Sequence, residues 1–305
     1  MASLRKIVMH SRAKLNLFLK VLGKRPDGFH DIVSIFQTID LADELTFTIE
    51  KGRSGITIRS KHPDLPVNDD NLIVKAYKKL AEIKEPESGE GIVCDVVKKI
   101  PIGSGMGGGS SNCAATLVAL NELLDTNLEH KALMKIGAEL GSDVPFFFTG
   151  GTGFIHGRGE KFEMIAPITK GGFFIIAPDV KVSTKEAYDA LDSYRNGRPD
   201  LNTDDINSFE LQEILGRSIR EDNFESFLHN DFEDVILKKY PQIQNVRDKL
   251  ERINPATRMT GSGSAIFCYF KDYQKTWESL EQYEPQLGEK VFIAKPVLEG
   301  FIIHG

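Results

Sequence analysis

Cysteine is scarce in this chain. Cys94, Cys113 and Cys268 are the only three in 305 residues, and no two form a C-x-x-C pair. An odd, scattered set of thiols is neither a disulfide framework nor a zinc site, and it reads as reduced cysteines in a cytoplasmic protein. The seven histidines never fall at H-x-x-x-H spacing, which leaves out a helix-borne metal pair. No apolar run approaches the length of a transmembrane helix. The N-terminal MASLRKIVMHSRAKLNLFLK lacks the continuous apolar stretch of a secretory signal. Basic runs are missing too: 38 Lys and Arg stand against 44 Asp and Glu, a net charge of −6. Pairs such as Lys98–Lys99 and Lys238–Lys239 are too short to track a nucleic-acid backbone and read as solvated faces. Neither nucleic acid nor a membrane is expected as a partner, and the chain is expected to act as a monomer or weak homodimer. No fixed-period repeat and no long low-complexity segment appears.

A hydrophobic content of 41% in 305 residues supplies a core for one large or two medium domains. Ala13, Leu15, Leu17 and Leu19 alternate with Lys14, Asn16 and Phe18, the period of a strand. Lys14 and Asn16 then share the face opposite the leucines. Thr46–Ile49 and Gly55–Ile58 read as short strands, and Arg25–Asp31 as a turn. Asn71 suits the N-cap of a helix whose stripe is Ile73, Ala76, Tyr77 and Leu80. Ile92–Ile100 reads as a strand, and Lys131–Leu140 as a helix capped by Gly141. A domain boundary is expected in or near Thr149–Gly172, a surface loop over Arg195–Asp205, and a helix along Ile243, Val246, Leu250 and Ile253. Helices and strands are mixed in both halves, which favours two α/β or α+β domains.

The abundance lies in glycine, concentrated at Pro101-Ile102-Gly103-Ser104-Gly105-Met106-Gly107-Gly108-Gly109-Ser110-Ser111. A nearly side-chain-free loop between a strand and a helix offers backbone N–H groups and the positive end of a helix dipole to an anion, and its natural guest is a polyphosphate. Ser110 and Ser111 sit where helix N-caps belong. The loop is not a Walker loop, because no lysine follows the glycines. Gly103, Gly105 and Gly108 satisfy a loose G-x-G-x-x-G, but mid-chain and without accounting for the glycines and serines that follow. A nicotinamide dehydrogenase or a non-catalytic nucleotide module is therefore a weaker reading than a kinase.

The loop, a lysine-bearing N-terminal strand and the late loop Thr260-Gly261-Ser262-Gly263-Ser264 together resemble the GHMP small-molecule kinases. Longer segments resemble the branch of that family whose acceptor is a cytidine-diphosphate-linked sugar alcohol. They are AKLNLFLKVLGKRPDGFHDIVSIFQTID, DNLI at 70–73, GSDVPFF at 141–147 and MTGSGSAIF at 259–267. Met106 and Cys113 depart from the usual Leu and Ala and keep their small or apolar character. The resemblance implies an α+β, two-domain GHMP kinase fold. An S5-domain-2-like layer over 1–165 would carry the phosphate loop, and a ferredoxin-like domain over 166–305 would close a substrate cleft. The implied cofactors are ATP and Mg²⁺, whose protein ligands the sequence does not identify, and the implied partner is a small molecule carrying a cytidine diphosphate group. Another GHMP kinase, acting on homoserine, mevalonate or a sugar, is the nearest alternative.

The resemblance also implies roles for single residues. Residues 101–111 and Asn71 would hold ATP. Asp143, otherwise an ordinary aspartate after a helix, would orient the acceptor hydroxyl and take its proton late. Lys14, otherwise a solvent-facing lysine on an edge strand, would keep that carboxylate ionised and offset charge on the migrating phosphoryl group. Asn16 would bind substrate from the same face. Phe29 and Tyr188 would sandwich the cytosine while His30 bonds its edge, although Tyr188 equally fits the buried face of a helix with Ala187 and Leu191. Thr184 would contact substrate or cap that helix. Gly261, Ser262 and Gly263 would let backbone approach the substrate, or form a plain turn.

Overall fold

The computed structural model describes residues 6–195 and 208–304, and side chains of 208–211 are left aside. Two long strands, β1 (Lys6–Lys24) and β2 (His30–Lys51), pair antiparallel almost throughout. Thr46–Ile49 is thus a piece of β2 and not a separate short strand. With β3 (Ile56–Ser60), β4 (Glu90–Val97) and the C-terminal β12 (Phe301–His304) they form a sheet of order β12-β1-β2-β4-β3. Short strands β5 (Thr152–His156) and β6 (Lys161–Met164) extend it from β2, and β8 (His229–Asn230) pairs with β1. Helices α1 (Leu72–Ala81), α2 (Gly108–Leu123), α3 (His130–Leu140) and the one-turn α4 (Val144–Phe147) cluster on this half. Asn71 caps α1 as its sequence suggests, accepting from the Ile73 amide.

The second sheet has the order β11-β7-β10-β9, from β7 (Gly172–Ala177), β9 (Thr257–Met259), β10 (Ile266–Phe270) and β11 (Lys290–Ala294). Beside it run α5 (Thr184–Arg195), α6 (Ser208–Arg220), α7 (Glu233–Lys239), α8 (Pro241–Ile253) and α9 (Tyr273–Gln282). Ala13, Leu15 and Leu17 share one buried cluster with Phe173, Ile175 and Phe267, so the leucine face of β1 packs on the second sheet. After β11 the chain returns to pair β12 with β1, so the last segment belongs to both sheets. Arg195 is the last residue of α5; the rest of the expected 195–205 loop lies outside the described residues, apart from that helix end. No described helix is long and apolar enough to cross a membrane. Cys94, Cys113 and Cys268 are buried and unbridged.

One irregularity in β1 decides where the chemistry goes. Ile7 and Met9 face the helices, and the Ser11 hydroxyl donates to Asn112 in α2. The pairing slips between Arg12 and Ala13, and from there the odd residues face the second sheet. The slip swings Lys14 and Asn16 to the helix side, where the glycine loop lies; bulges commonly re-aim side chains beside active sites. β1 is also no edge strand, because β12, β2 and β8 all pair with it.

Candidate active site

The glycine loop is held open by conformations that side chains resist. Gly103, Gly105 and Gly107 have φ of 71°, 79° and 71°, in the left-handed region that glycine adopts without strain. Gly107, not Ser110 or Ser111, is the N-cap of α2, and both serines lie inside the first turn. The loop therefore reaches the helix end with backbone alone, and the first free amides of α2 face outward from glycines. A cavity of about 320 Å³ opens over it, walled by residues 101–110 together with Leu65, Asp70, Asn71 and Lys98. Asn71 contributes mainly as a brace: its amide donates to the Pro66 carbonyl at 2.6 Å while its oxygen caps α1.

The two halves of the fold meet at this loop. A Cβ on Gly105 would lie 2.2 Å from the Thr260 carbonyl oxygen, and one on Gly261 would lie 3.0 Å from the Gly105 oxygen. The Ala265 amide donates to the Ser104 carbonyl at 3.1 Å. Thr260 also reaches β1, its hydroxyl accepting from the Asn16 amide at 2.9 Å. Asn230 braces the late loop from behind, donating to the Met259 and Gly261 carbonyls at 2.6 and 2.8 Å. Ser262 and Thr184 lie together, with hydroxyls 3.2 Å apart.

Lys14 and Asp143 come together beside the loop. The Lys14 ammonium is 3.6 Å from the Asp143 carboxylate and donates to the Asn16 side-chain oxygen at 2.5 Å. It also lies 4.4 Å from the centre of the Phe36 ring. The Lys14 amide donates to the Met106 carbonyl at 3.0 Å, which ties strand to loop. Lys14 is buried; burial pushes its pKa below the ordinary lysine value, and the charge and hydrogen bond of Asp143 oppose that shift. A solvent-facing lysine is therefore ruled out. Asp143 precedes α4, whose Val144, Pro145, Phe146 and Phe147 are all buried and fix its position. Its carboxylate keeps 31% exposure, enough for a ligand to reach it.

A second group gathers at the turn between β1 and β2. Phe29 is exposed at the tip, with the Arg158 guanidinium 4.9 Å from its ring centre. His30 is buried and stacks on Tyr188, with ring centres 4.5 Å apart and planes at 17°. The other neighbour of Tyr188 is Phe232, met edge-on at 4.9 Å. Tyr188 is thus neither free nor fully in the core, and burial, then the Asp143 charge, pushes its hydroxyl pKa well up. Phe29 and Tyr188 do not enclose an empty slot here, since His30 covers one face of the tyrosine.

The Lys98–Lys99 pair is no solvated face. The Lys98 ammonium is buried and 2.7 Å from the fully buried Asp43 carboxylate, whose other oxygen accepts from the Lys99 and Ile100 amides at 2.8 Å. Asp43 thereby holds the segment entering the glycine loop. Burial lowers the Lys98 pKa, and Asp43 counters that shift. Lys239 pairs with Glu186 and Lys238 lies over the Tyr194 ring. No sequence signal marks Asp43, Asn230 or Ser11, because each acts through contacts between distant elements. Among the described residues no three His, Cys, Asp or Glu side chains gather as a metal site.

Known proteins match both halves. The family model for the GHMP kinases N terminal domain covers residues 71–151, and that for GHMP kinases C terminal covers 211–279. A 4-diphosphocytidyl-2-C-methyl-D-erythritol kinase of Pseudothermotoga lettingae is 40% identical over 86% of this chain and 91% of its own length. The enzyme of that name from Shewanella loihica is 38% identical over 100% of this chain and 95% of its own. A crystal structure of 4-(cytidine 5'-diphospho)-2C-methyl-D-erythritol kinase superposes with a TM-score of 0.70 at 26% identity, covering 95% of this chain and 100% of that one. A homoserine kinase from Cytophaga hutchinsonii reaches a TM-score of 0.73 at 17% identity, covering 100% and 99%, and shares the fold alone.

Proposed function

The chain belongs to the GHMP kinases and, among them, to the 4-diphosphocytidyl-2-C-methyl-D-erythritol kinases, and from that membership we propose how its residues carry out the transfer. It is an ATP-dependent kinase of 4-diphosphocytidyl-2-C-methyl-D-erythritol, phosphorylating the 2-hydroxyl on the non-mevalonate route to isoprenoid precursors. The observation that carries the mechanism is the Lys14–Asp143 pair, 3.6 Å apart beside the glycine-loop cavity.

ATP lies with its phosphates against the backbone amides of residues 103–111 and the start of α2, whose dipole favours them. Phosphoryl transfer passes through a loose transition state, so the protein supplies position and charge more than covalent chemistry. Asp143 accepts a hydrogen bond from the 2-hydroxyl and aligns its oxygen with the γ-phosphorus. As the new P–O bond forms and the bond to ADP breaks, the hydroxyl proton passes to Asp143. Lys14 holds that carboxylate in place and offsets negative charge on the group in flight. Asn16, locked between Lys14 and Ser34, fixes the ammonium. Phe29, His30 and Tyr188 recognise the cytosine, and Thr184 and Ser262 face the remainder of the substrate. Every one of these groups comes from a single chain, so the site needs no second copy.

Magnesium, when bound, shields the β- and γ-phosphate charges. The residues fit that use: the buried Ser111 hydroxyl has no hydrogen-bond partner and would hold the ion together with phosphate oxygens. ADP release from ATP and Mg²⁺, coupled to an optical readout, tests the whole reading. Turnover is expected with 4-diphosphocytidyl-2-C-methyl-D-erythritol and not with the same alcohol lacking its cytidine. Equal turnover with both would remove the base from recognition.

A further inference from the structure

His30 has a partner that neither the reaction nor the base contact requires. Its Nε2 lies 2.7 Å from the Asp192 carboxylate. Asp192 stands one helical turn after Tyr188 on α5, so the two share a face, and both meet the same imidazole. The second oxygen of Asp192 accepts from the Lys24 ammonium at 2.9 Å. Burial works against ionising Asp192, and its bonds to Lys24 and His30 outweigh that and lower its pKa. A carboxylate only accepts hydrogen bonds, so the proton of the neutral ring must sit on Nε2. Nδ1 then carries a lone pair and no hydrogen. Among the described residues no hydrogen bond to Nδ1 is found. The stack on Tyr188 fixes the ring plane, and the salt bridge fixes its rotation.

We infer that Asp192 is a specificity-positioning residue, which makes His30 Nδ1 a fixed acceptor that takes the amino group of cytosine and repels the carbonyl that uracil carries in its place. The inference rests on the reading of Phe29, His30 and Tyr188 as the base pocket. Cytosine presents an exocyclic N–H donor where uracil presents an acceptor. Two acceptors facing each other leave both unpaired on binding, and a site built for a hydrogen bond discriminates strongly against the analogue that lacks the matching group. Asp192 touches no substrate; it acts through the tautomer of His30.

Nitrogen-15 NMR of the His30 ring in the free wild-type protein reads the tautomer directly, and kinetics with cytidine- and uridine-linked 2-C-methyl-D-erythritol diphosphates read the preference. We expect the Nε2–H form in wild type. Asp192→Asn, whose amide can donate to Nε2, should shift the ring toward Nδ1–H. It should also lower the cytidine-over-uridine ratio of kcat/KM about tenfold or more, and Asp192→Ala should lower that ratio as well. An Nδ1–H ring in wild type overturns the inference, as does an unchanged ratio in both folded variants. Wild type that does not distinguish the two bases while showing the Nε2–H ring would instead refute the base pocket, and the inference with it.

Discussion

The ammonium of Lys14 stands 3.6 Å from the carboxylate of Asp143 across the glycine loop, one on the first strand and the other before a one-turn helix. Gly107 makes the approach possible: a Cβ there would lie 3.0 Å from the Lys14 Cγ and 2.8 Å from the Phe147 ring. Strand, loop and helix are therefore a single packed unit, and each of its parts has a measurable consequence.

Asp143→Asn keeps the shape of the side chain and removes the proton acceptor. Turnover should fall by about 10²–10⁴, the usual weight of a general base. ATP should still raise the melting temperature, since the loop amides are untouched. Steady-state kinetics beside thermal shift checks both. A variant retaining wild-type kcat would remove Asp143 from the proton path.

Lys14 gives the pH dependence. Burial lowers its pKa from the ordinary 10.5, and Asp143 only partly restores it. The ammonium is the working form, so kcat should decline on the alkaline side at a pH below 10.5. Stability runs the other way. Between the lowered folded value and the unfolded one, the unfolded chain binds more protons, so this residue's contribution to stability rises with pH across that window. Lys14→Met should flatten that rise while abolishing the alkaline limb. An activity profile still level at pH 10.5 would contradict a lowered Lys14 pKa.

The glycine loop, the Asn71 cap and the alternation that sets Lys14 against the leucines were legible because each is local: a run of one residue type, a capping residue, a period of two. The slip between Arg12 and Ala13 was not, since a change of face inside one strand depends on the partner strand. The serines misread as caps show the same limit. Ser110 and Ser111 are good caps by type, but a glycine at positive φ starts the helix three residues earlier. Lys98 looked like half of an exposed basic pair because its partner, Asp43, lies on another strand.

Loop apposition separates two glycines of the same backbone type. Gly103→Ala meets only the Lys181 side chain at 3.9 Å, so its cost is that of a left-handed alanine, about 1–2 kcal/mol. Gly105→Ala places its methyl 2.2 Å from the Thr260 carbonyl oxygen, a backbone atom that cannot step aside alone. It should force the two loops apart, lose turnover and destabilise the fold by more than the first variant. Chemical denaturation of both, beside kcat, checks the order. Equal losses would mean that the contact between the loops carries no weight.

The pair behind the loop gives the sharpest test of architecture. Lys98→Met removes a buried cation and leaves Asp43 with two backbone amides as its only remaining donors among the described residues. Breaking one side of a buried ion pair costs about 3–5 kcal/mol, because the remaining charge stays desolvated. Asp43→Asn in the Lys98→Met background removes that charge while keeping an oxygen for the Lys99 and Ile100 amides, and it should recover part of the loss. Lys98 also lines the nucleotide cavity, so the KM for ATP should rise in both variants while the KM for the acceptor stays near wild type. Urea denaturation gives the first comparison and initial rates the second. A double variant no more stable than Lys98→Met would show that the buried charge is not what the lysine offsets.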